Sequence, residues 1–179
     1  MWYKRAIDDH DQETLGAKYY GAMSNIGYIY GQGITPVQTD AVKSLYWSER
    51  ALPGGDPRAF HNVGHKYFHG LGIKRDIGKA VEYLRKAADA GLSRAKFLLS
   101  IAHLDESGPV FDERKAMDIL LPLADGGNVL AKYHVGGIYL TRTGTFHDYQ
   151  KAVDWLSRSA AGGDVDAKFE LAKLQFFQI

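Results

Sequence analysis

Small and apolar residues recur along this chain with a period of 36 residues. The period is marked by four alanines, each followed by an apolar residue four positions later: Ala59, Ala95, Ala131 and Ala167. In the segment that begins at Ala59, which is the second repeat of the chain, Val63, Gly64 and Tyr67 have the i, i+1, i+4 spacing of one helix face. A fixed period of this length is typical of arrays of supersecondary units, none of which can bury its apolar face alone.

Each unit is predicted to contain two helices, called helix A and helix B. Helix A of the second unit is expected to end at Gly70 and Gly72, because a chain that reverses direction often needs a positive φ. Asp76 occupies the N-cap position of helix B. The helix is expected to end at Gly91. Its apolar face consists of residues at helical spacing: Ala80, Tyr83, Leu84, Ala87 and Ala88.

The small residues predict close packing between neighbouring helices. Gly64 and the alanines of helix B let two backbones approach, while Tyr67 and Tyr83 fill the remaining space. The fourth unit repeats this pattern with Gly136, Ala152, Ala160, Ala161, Tyr139 and Trp155. The third unit departs from it with Ser100, His103, Ile119 and Pro122. Pro122 is expected to end or kink its helix.

The period divides the chain into a single predicted solenoid, residues 1–179. Its units are 17–58, 59–94, 95–130 and 131–166, followed by a C-terminal helix over 167–179, while residues 1–16 form a partial unit or cap. The register before Ala22 stays ambiguous, because Leu15, Gly16 and Tyr19 offer a second helix-A pattern. The breaker cluster from Pro53 to Pro57 indicates an inter-unit turn, with a mild hinge as the alternative.

Composition narrows the function classes. The 22 basic and 21 acidic residues give a net charge of +1, which provides no general attraction to nucleic acid or to an anionic membrane. The chain has no cysteine, which excludes disulfides and thiolate chemistry. No apolar run is long enough to span a membrane, and no signal peptide is visible, so the sequence as written predicts a cytoplasmic protein. A trimmed periplasmic or secreted protein would read the same way.

The pattern resembles the Sel-1-like repeat, a relative of the tetratricopeptide repeat. The resemblance rests on residues that recur in phase over roughly 17–179. The second unit supplies Ala59, Val63, Gly64, Tyr67, Gly70, Gly72, Asp76, Lys79, Ala80, Tyr83, Lys86, Ala87, Ala88 and Gly91. The resemblance implies an all-α, right-handed α/α superhelical solenoid of about four to five helix-turn-helix repeats. Helix A would line its concave side and helix B its convex side.

The resemblance also implies a function. Similar proteins are non-catalytic adaptors or scaffolds that hold other proteins, and some bacterial ones are immunity partners of secreted toxins. We therefore expect a protein partner in the concave groove and no cofactor. The runner-up hypothesis is a small hydrolase or ligand-binding enzyme that uses a histidine-lined groove.

If helix A lines the groove, its outward positions form the candidate protein-binding surface. These positions carry aromatic, histidine, amide and aliphatic side chains, which suit protein recognition. The candidates are Tyr28, His61, Asn62, His65, Phe68, His69, Phe97, Ile101, Asp105, Tyr133 and His134. The competing interpretation is that some of them pack against one another along a tightly curved inner wall.

Three histidines follow one face of the second helix A. His61, His65 and His69 are spaced i, i+4, i+8, and a histidine pair at i, i+4 can share a zinc ion. His61 and His69 would be about 12 Å apart, so one ion cannot bind all three, and a further ligand would have to come from elsewhere, such as Asp105. We therefore predict adaptable hydrogen-bonding groups and no metal.

The C-terminal segment is apolar where a terminal repeat usually presents a polar face. The apolar positions are Phe169, Leu171, Ala172, Leu174, Phe176, Phe177 and Ile179. Two outcomes are open: the helix packs back on the preceding unit, or it meets another chain and mediates self-association.

Overall fold

A computed structural model describes residues 16–34, 36–141 and 145–177, and these ranges contain helices and turns but no strand. The helices, in chain order, are α1 (Ala17–Gln32), α2 (Ala41–Arg50), α3 (Pro57–His69), α4 (Ile77–Asp89), α5 (Ser93–His103), α6 (Glu113–Asp125), α7 (Val129–Leu140), α8 (Tyr149–Ala161) and α9 (Val165–Phe177). The predicted alternation of helix A and helix B is confirmed. The proposed cap or partial unit over 1–16 lies almost wholly outside the described residues.

Every helix B begins with the same aspartate cap. The side chains of Asp40, Asp76, Asp112 and Asp148 accept hydrogen bonds from the backbone N–H groups three residues later, at 2.9–3.1 Å. Each aspartate has extended backbone dihedrals, as an N-cap residue requires. The four caps are 36 residues apart, so the periodic aspartate sets the start of each helix B.

The same aspartates join helix A to helix B through the backbone. The N–H groups of Asp40, Asp76, Asp112 and Asp148 donate to the carbonyls of Tyr30, Tyr67, His103 and Tyr139, at 2.8–2.9 Å. We call this hydrogen bond the A–B clasp. It occurs in all four repeats, including the first, whose loop is one residue longer, and the third, whose sequence departs most from the pattern.

Glycine ends helix A of the second repeat as predicted. Gly70 is the C-cap of α3 with φ 71°, and its N–H donates to the carbonyl of Lys66. Gly72 has φ 76°, and a Cβ there would lie 2.4 Å from the carbonyl oxygen of Ala41. Both the backbone conformation and the close contact therefore require glycine at position 72.

Two equivalent glycines allow helices A and B to pack closely. A Cβ at Gly64 of α3 would lie 2.8 Å from Cγ of Leu84 on α4. A Cβ at Gly136 of α7 would lie 2.8 Å from Cγ of Leu156 on α8. Both leucines are fully buried, so each glycine leaves room for a leucine that fills the core of its repeat.

The first repeat reaches the same packing with serines. Ser44 and Ser48 occupy the helix-B positions that Ala80 and Leu84 hold in the second repeat. The hydroxyl of Ser44 donates to the carbonyl of Gly27 at 2.5 Å, and that of Ser48 donates to the carbonyl of Ser44 at 2.7 Å. The apolar core of this repeat extends to Ala59, the first residue of the second repeat. Its buried members are Met23, Trp47, Ala51 and Ala59, and the partly buried side chains packed against them are Tyr19, Tyr20, Ile26, Tyr30 and Leu52.

Pro122 does not end its helix. It lies in the last turn of α6, which continues to Asp125. A proline removes the donor for the carbonyl four residues earlier, which belongs here to Asp118. Asp118 and Pro122 are both exposed, so water can satisfy that carbonyl. Of the two predicted effects, a helix end or a kink, the helix end at this proline was wrong.

Internal contacts divide the chain into two compact units, with the boundary between Leu98 and Leu99 inside α5. The first unit contains α1 to α4 and the start of α5. The second contains the end of α5 and α6 to α9, in which α9 packs on α8. None of the helices in the described ranges has the length and apolar composition needed to cross a bilayer.

Candidate functional site

A cleft of about 300 Å³ lies between α1 and α3, the A helices of the first two repeats. Its lining comes from α1, α3 and the beginning of α5: Ser24, Asn25, Tyr28, Gly31, Gln32, Arg58, His61, Asn62, His65, Lys66 and Arg94. Four of the predicted site residues therefore surround one cavity: Tyr28, His61, Asn62 and His65. We call this cavity the α1–α3 cleft.

Helical periodicity explains why these side chains share the cleft. On α3, the buried stripe of Val63, Gly64 and Tyr67 packs on α4. Residues about 200° around the helix from Val63, such as His61 and His65, then point away from α4. The packing of helix A on helix B thus dictates which residues line the cleft.

The three predicted histidines form a contiguous ladder along α3. The ring centroids of His61 and His65 are 6.1 Å apart, and those of His65 and His69 are 4.4 Å apart. Burial lowers the pKa of His61 and of His65 to about 4, with smaller contributions from neighbouring cationic groups. Both imidazoles are therefore neutral at pH 7. Nδ1 of His61 is buried without a hydrogen-bond partner among the described residues.

Basic side chains complete the cleft. Lys66 is only 8% exposed, and burial lowers the pKa of its ammonium. Arg58 forms an ion pair with Asp56 at 2.7 Å. Arg94 lies close enough to lower the pKa of both Asp56 and His61. In the part of the chain that the structure describes, the lining of this cleft includes no carboxylate.

The other predicted site residues of the first compact unit do not line the cleft. Phe68 is half-buried under the guanidinium of Arg75, whose carbon lies 5.7 Å from the ring centroid, and Arg75 also donates to the Phe68 carbonyl at 2.9 Å. His69 is exposed, and its ring lies 4.8 Å from that of Phe68. Phe97 is half-buried on α5.

The second compact unit has clefts of its own, beside α7. Tyr133 lines two of them, of about 210 and 310 Å³, and His134 lines the larger. Carboxylates border both: Glu170 the smaller, and Glu106 and Glu113 the larger. The α7 clefts are therefore acidic, whereas the α1–α3 cleft is basic.

The two remaining predicted residues of the second unit belong to neither α7 cleft. Ile101 is half-buried on α5. Asp105 follows the end of that helix, and its carboxylate accepts hydrogen bonds from the N–H and the hydroxyl of Ser107 at 3.0 and 2.5 Å. Asp105 thus shapes a turn. Among the described residues, no group of three His, Asp or Glu side chains could hold a metal ion.

The cationic part of the α1–α3 cleft was not predicted from the sequence. Arg58 and Arg94 are 36 residues apart, each directly before the alanine that begins a unit. Lys66 neighbours the buried Tyr67 in sequence and is itself buried. The phase shared by the two arginines was a usable signal, but the burial of Lys66 was not, because lysine is rarely buried without a partner.

The Sel1 repeat model matches residues 21–55, 57–92 and 129–164. This chain belongs to the Sel1 repeat family. The unmatched stretch between 92 and 129 contains the third repeat, with Ser100, His103, Ile119 and Pro122. Sel1 repeats are typically non-catalytic protein-interaction folds.

Solved structures share the fold. A Sel1 repeat protein from Oxalobacter formigenes is 28% identical, with a TM-score of 0.70, over 97% of this chain and 67% of that one. An immunity protein from Pseudomonas aeruginosa is 21% identical, with a TM-score of 0.51, over 93% of this chain and 57% of that one. The second likeness shows the fold alone. The fold class of this chain is thus the all-α Sel1 solenoid class, as predicted.

A curated relative is much longer than this chain. HRD3B, an ERAD-associated E3 ubiquitin-protein ligase component of Arabidopsis thaliana, is 32% identical over 88 residues. The match covers 49% of this chain and 13% of the relative. The chain therefore spans only a small part of that relative's length.

Proposed function

We propose that this chain is a non-catalytic module that binds another protein through the helix-A surfaces of its repeats. Membership of the Sel1 repeat family supports this proposal. The observation that carries it is the α1–α3 cleft, where Tyr28, 53% exposed, stands beside histidine and amide side chains. Exposed aromatic side chains next to polar groups are typical of protein interfaces.

The histidines argue against the hydrolase alternative. A general base works best with a pKa near the operating pH, whereas burial holds the pKa of His61 and His65 at about 4. Catalytic histidines also commonly have Nδ1 oriented by a carboxylate, and Nδ1 of His61 has no hydrogen-bond partner in the described residues. Hydrogen bonding to a protein ligand is the better use of these two neutral rings.

The partner must first be identified. Affinity purification with mass spectrometry gives candidates, and calorimetry with the purified candidate then measures binding directly. We expect Tyr28→Ala and Phe68→Ala in the first unit, and Tyr133→Ala in the second, each to weaken binding, because aromatic anchors near an interface centre contribute about 2 kcal/mol or more. The double variant Phe68→Ala/Tyr133→Ala should abolish capture while circular dichroism stays unchanged.

Arg85→Ala on α4 is the matched control, because Arg85 is exposed on a B helix. Lys86 is less suitable, since its ammonium lies over the rings of Phe60 and Tyr83, at 5.5 and 6.0 Å from their centroids. If Arg85→Ala eliminates capture and the aromatic variants do not, the helix-A proposal fails and the helix-B surface becomes the site.

A finer hypothesis is an immunity-type inhibitor that blocks a secreted toxin. It takes its form from the fold shared with the Pseudomonas aeruginosa immunity protein. The test is co-expression with candidate toxins encoded next to this chain. Rescue of growth that is lost with Tyr28→Ala would support the hypothesis, whereas growth arrest that this chain does not relieve would contradict it.

A further inference from the structure

The α1–α3 cleft is lined by a largely buried lysine whose ammonium pairs with no residue in the described ranges. Lys66 is 8% exposed. No hydrogen bond or ion pair joins its ammonium to another residue in the described ranges, and desolvation alone shifts its pKa. Burying an unpaired charge is costly, and buried lysines are normally paired. Almost the whole of Lys66 is covered, but its ammonium keeps access to the solvent of the cleft, where an anion can reach it.

The surroundings of Lys66 add positive charge. Arg58 and Arg94 line the same cleft, and of these Arg58 is already paired with Asp56. The net local charge is therefore positive even with neutral histidines. Two amide side chains, Asn25 and Asn62, supply hydrogen-bond donors to the same cavity.

We propose that the α1–α3 cleft is a binding site for an oxyanion, either a carboxylate or a phosphate group, which pairs with Lys66 and Arg94. The cleft volume of about 300 Å³ suits one small anionic group. Charge-assisted hydrogen bonds to carboxylate and phosphate oxygens are stronger than neutral ones. This proposal is independent of the proposed function, because a free anion can be tested without any protein partner.

The chemistry has two sources: a free small anion, or an acidic side chain of a bound protein. The test uses three probes at constant ionic strength: inorganic phosphate, glutarate and a short glutamate-rich peptide. Backbone NMR spectra report where each probe binds, and calorimetry reports affinity. We expect saturable shifts at the amides of His61, Asn62 and Lys66 with at least one probe. The amides of Tyr133 and His134, beside the acidic α7 clefts, should stay unchanged.

Three variants make the test specific. Lys66→Met removes the charge and keeps most of the length and the apolar stem of the buried side chain. Arg94→Gln removes a charge at an exposed position, where the substitution does not disturb the core. Each should weaken anion binding about tenfold, which corresponds to about 1.4 kcal/mol. Arg85→Gln removes the same charge on α4 and should leave binding unchanged.

The outcomes separate cleanly. A peptide that competes with glutarate for the same amides identifies the source as an acidic side chain, and a peptide without effect leaves the free anion as the ligand. The proposal is overturned if no probe gives saturable shifts, or if Arg94→Gln and Lys66→Met bind as tightly as the unmodified chain. Equal losses in Arg85→Gln would also overturn it, since the effect would then be one of overall charge.

Discussion

At the scale of single residues, one hydrogen atom in place of a methyl group decides how closely two helices meet. Gly136 and Gly137 are neighbours on α7, yet their surroundings are opposite. A Cβ at Gly136 would lie 2.8 Å from Cγ of the buried Leu156, whereas a Cβ at Gly137 would have no atom within 4 Å. The pair therefore separates steric packing from backbone entropy.

We predict that Gly136→Ala destabilises the protein by about 1–3 kcal/mol, because Leu156 and α8 must move. Gly137→Ala should instead be neutral or stabilise by roughly 0.5–1 kcal/mol, since alanine loses less conformational entropy in a helix. Gly64→Leu should behave like Gly136→Ala or worse. Thermal and urea denaturation measure these changes. Equal midpoints for both alanine variants would refute the close packing of α7 on α8.

The buried histidines predict how stability depends on pH. Their ordinary pKa is 6.5, and burial lowers it to about 4 for His61 and His65. Between these values the unfolded chain binds more protons than the folded one, so stability is lost as the pH falls through this window. We expect a loss of roughly 1–2 kcal/mol for each histidine between pH 7 and pH 4, because partial solvation of both rings reduces the full effect of the shift.

Urea denaturation at a series of pH values measures this loss. The double variant His61→Gln/His65→Gln should flatten the slope, whereas His147→Gln, at an exposed position, should not. Aspartates with a lowered pKa, such as Asp56 beside Arg58, stabilise the fold at higher pH. That stability is lost only as the pH falls from their ordinary pKa of 3.8 toward the lowered pKa of the folded state, which is below the histidine window. An unchanged slope in the double variant would show that other groups govern the window.

At the scale of elements, the boundary between helix A and helix B of the second repeat followed from the sequence. Asp76 and Gly70 were assigned correctly because a cap and a positive-φ turn are local and depend on one residue each. Pro122 was misjudged because its effect depends on how much helix follows it. The cations of the α1–α3 cleft escaped prediction for another reason: Lys66 on α3 and Arg94 on α5 line one cleft only in the folded chain.

The last helix keeps apolar side chains in solvent although it packs on α8. Val165, Phe169 and Phe176 are 73%, 64% and 83% exposed. We predict that the protein self-associates through α9 as concentration rises, because water disfavours such a surface. Sedimentation velocity should show association that Phe169→Glu/Phe176→Glu removes and Lys168→Glu retains. A monomer at all concentrations would contradict the prediction.

At the scale of the whole molecule, the fold class followed from the period, since many positions agree in phase. The identity of a partner does not follow from the same information. The residues that maintain the period are the buried ones, such as Ala59 and Leu84. The proposed binding surface consists instead of more exposed ones, such as Tyr28, which the period does not specify.

The whole protein is also expected to function without metal. Dialysis against a chelator should leave the far-ultraviolet circular dichroism and partner binding unchanged, because no third ligand joins the histidine ladder among the described residues. Elemental analysis of the purified protein provides the control. Stoichiometric zinc that is lost together with binding would overturn this expectation.

The A–B clasp provides one backbone amide in each repeat whose hydrogen exchange reports local separation of helix A from helix B. The amides of Asp40, Asp76, Asp112 and Asp148 are each hydrogen-bonded across the two helices of one repeat. Such an amide can exchange its proton for deuterium only when those two helices separate locally. Once each rate is divided by the intrinsic rate for its neighbouring residues, the four protection factors rank the repeats by their local opening free energy and show which repeat opens first.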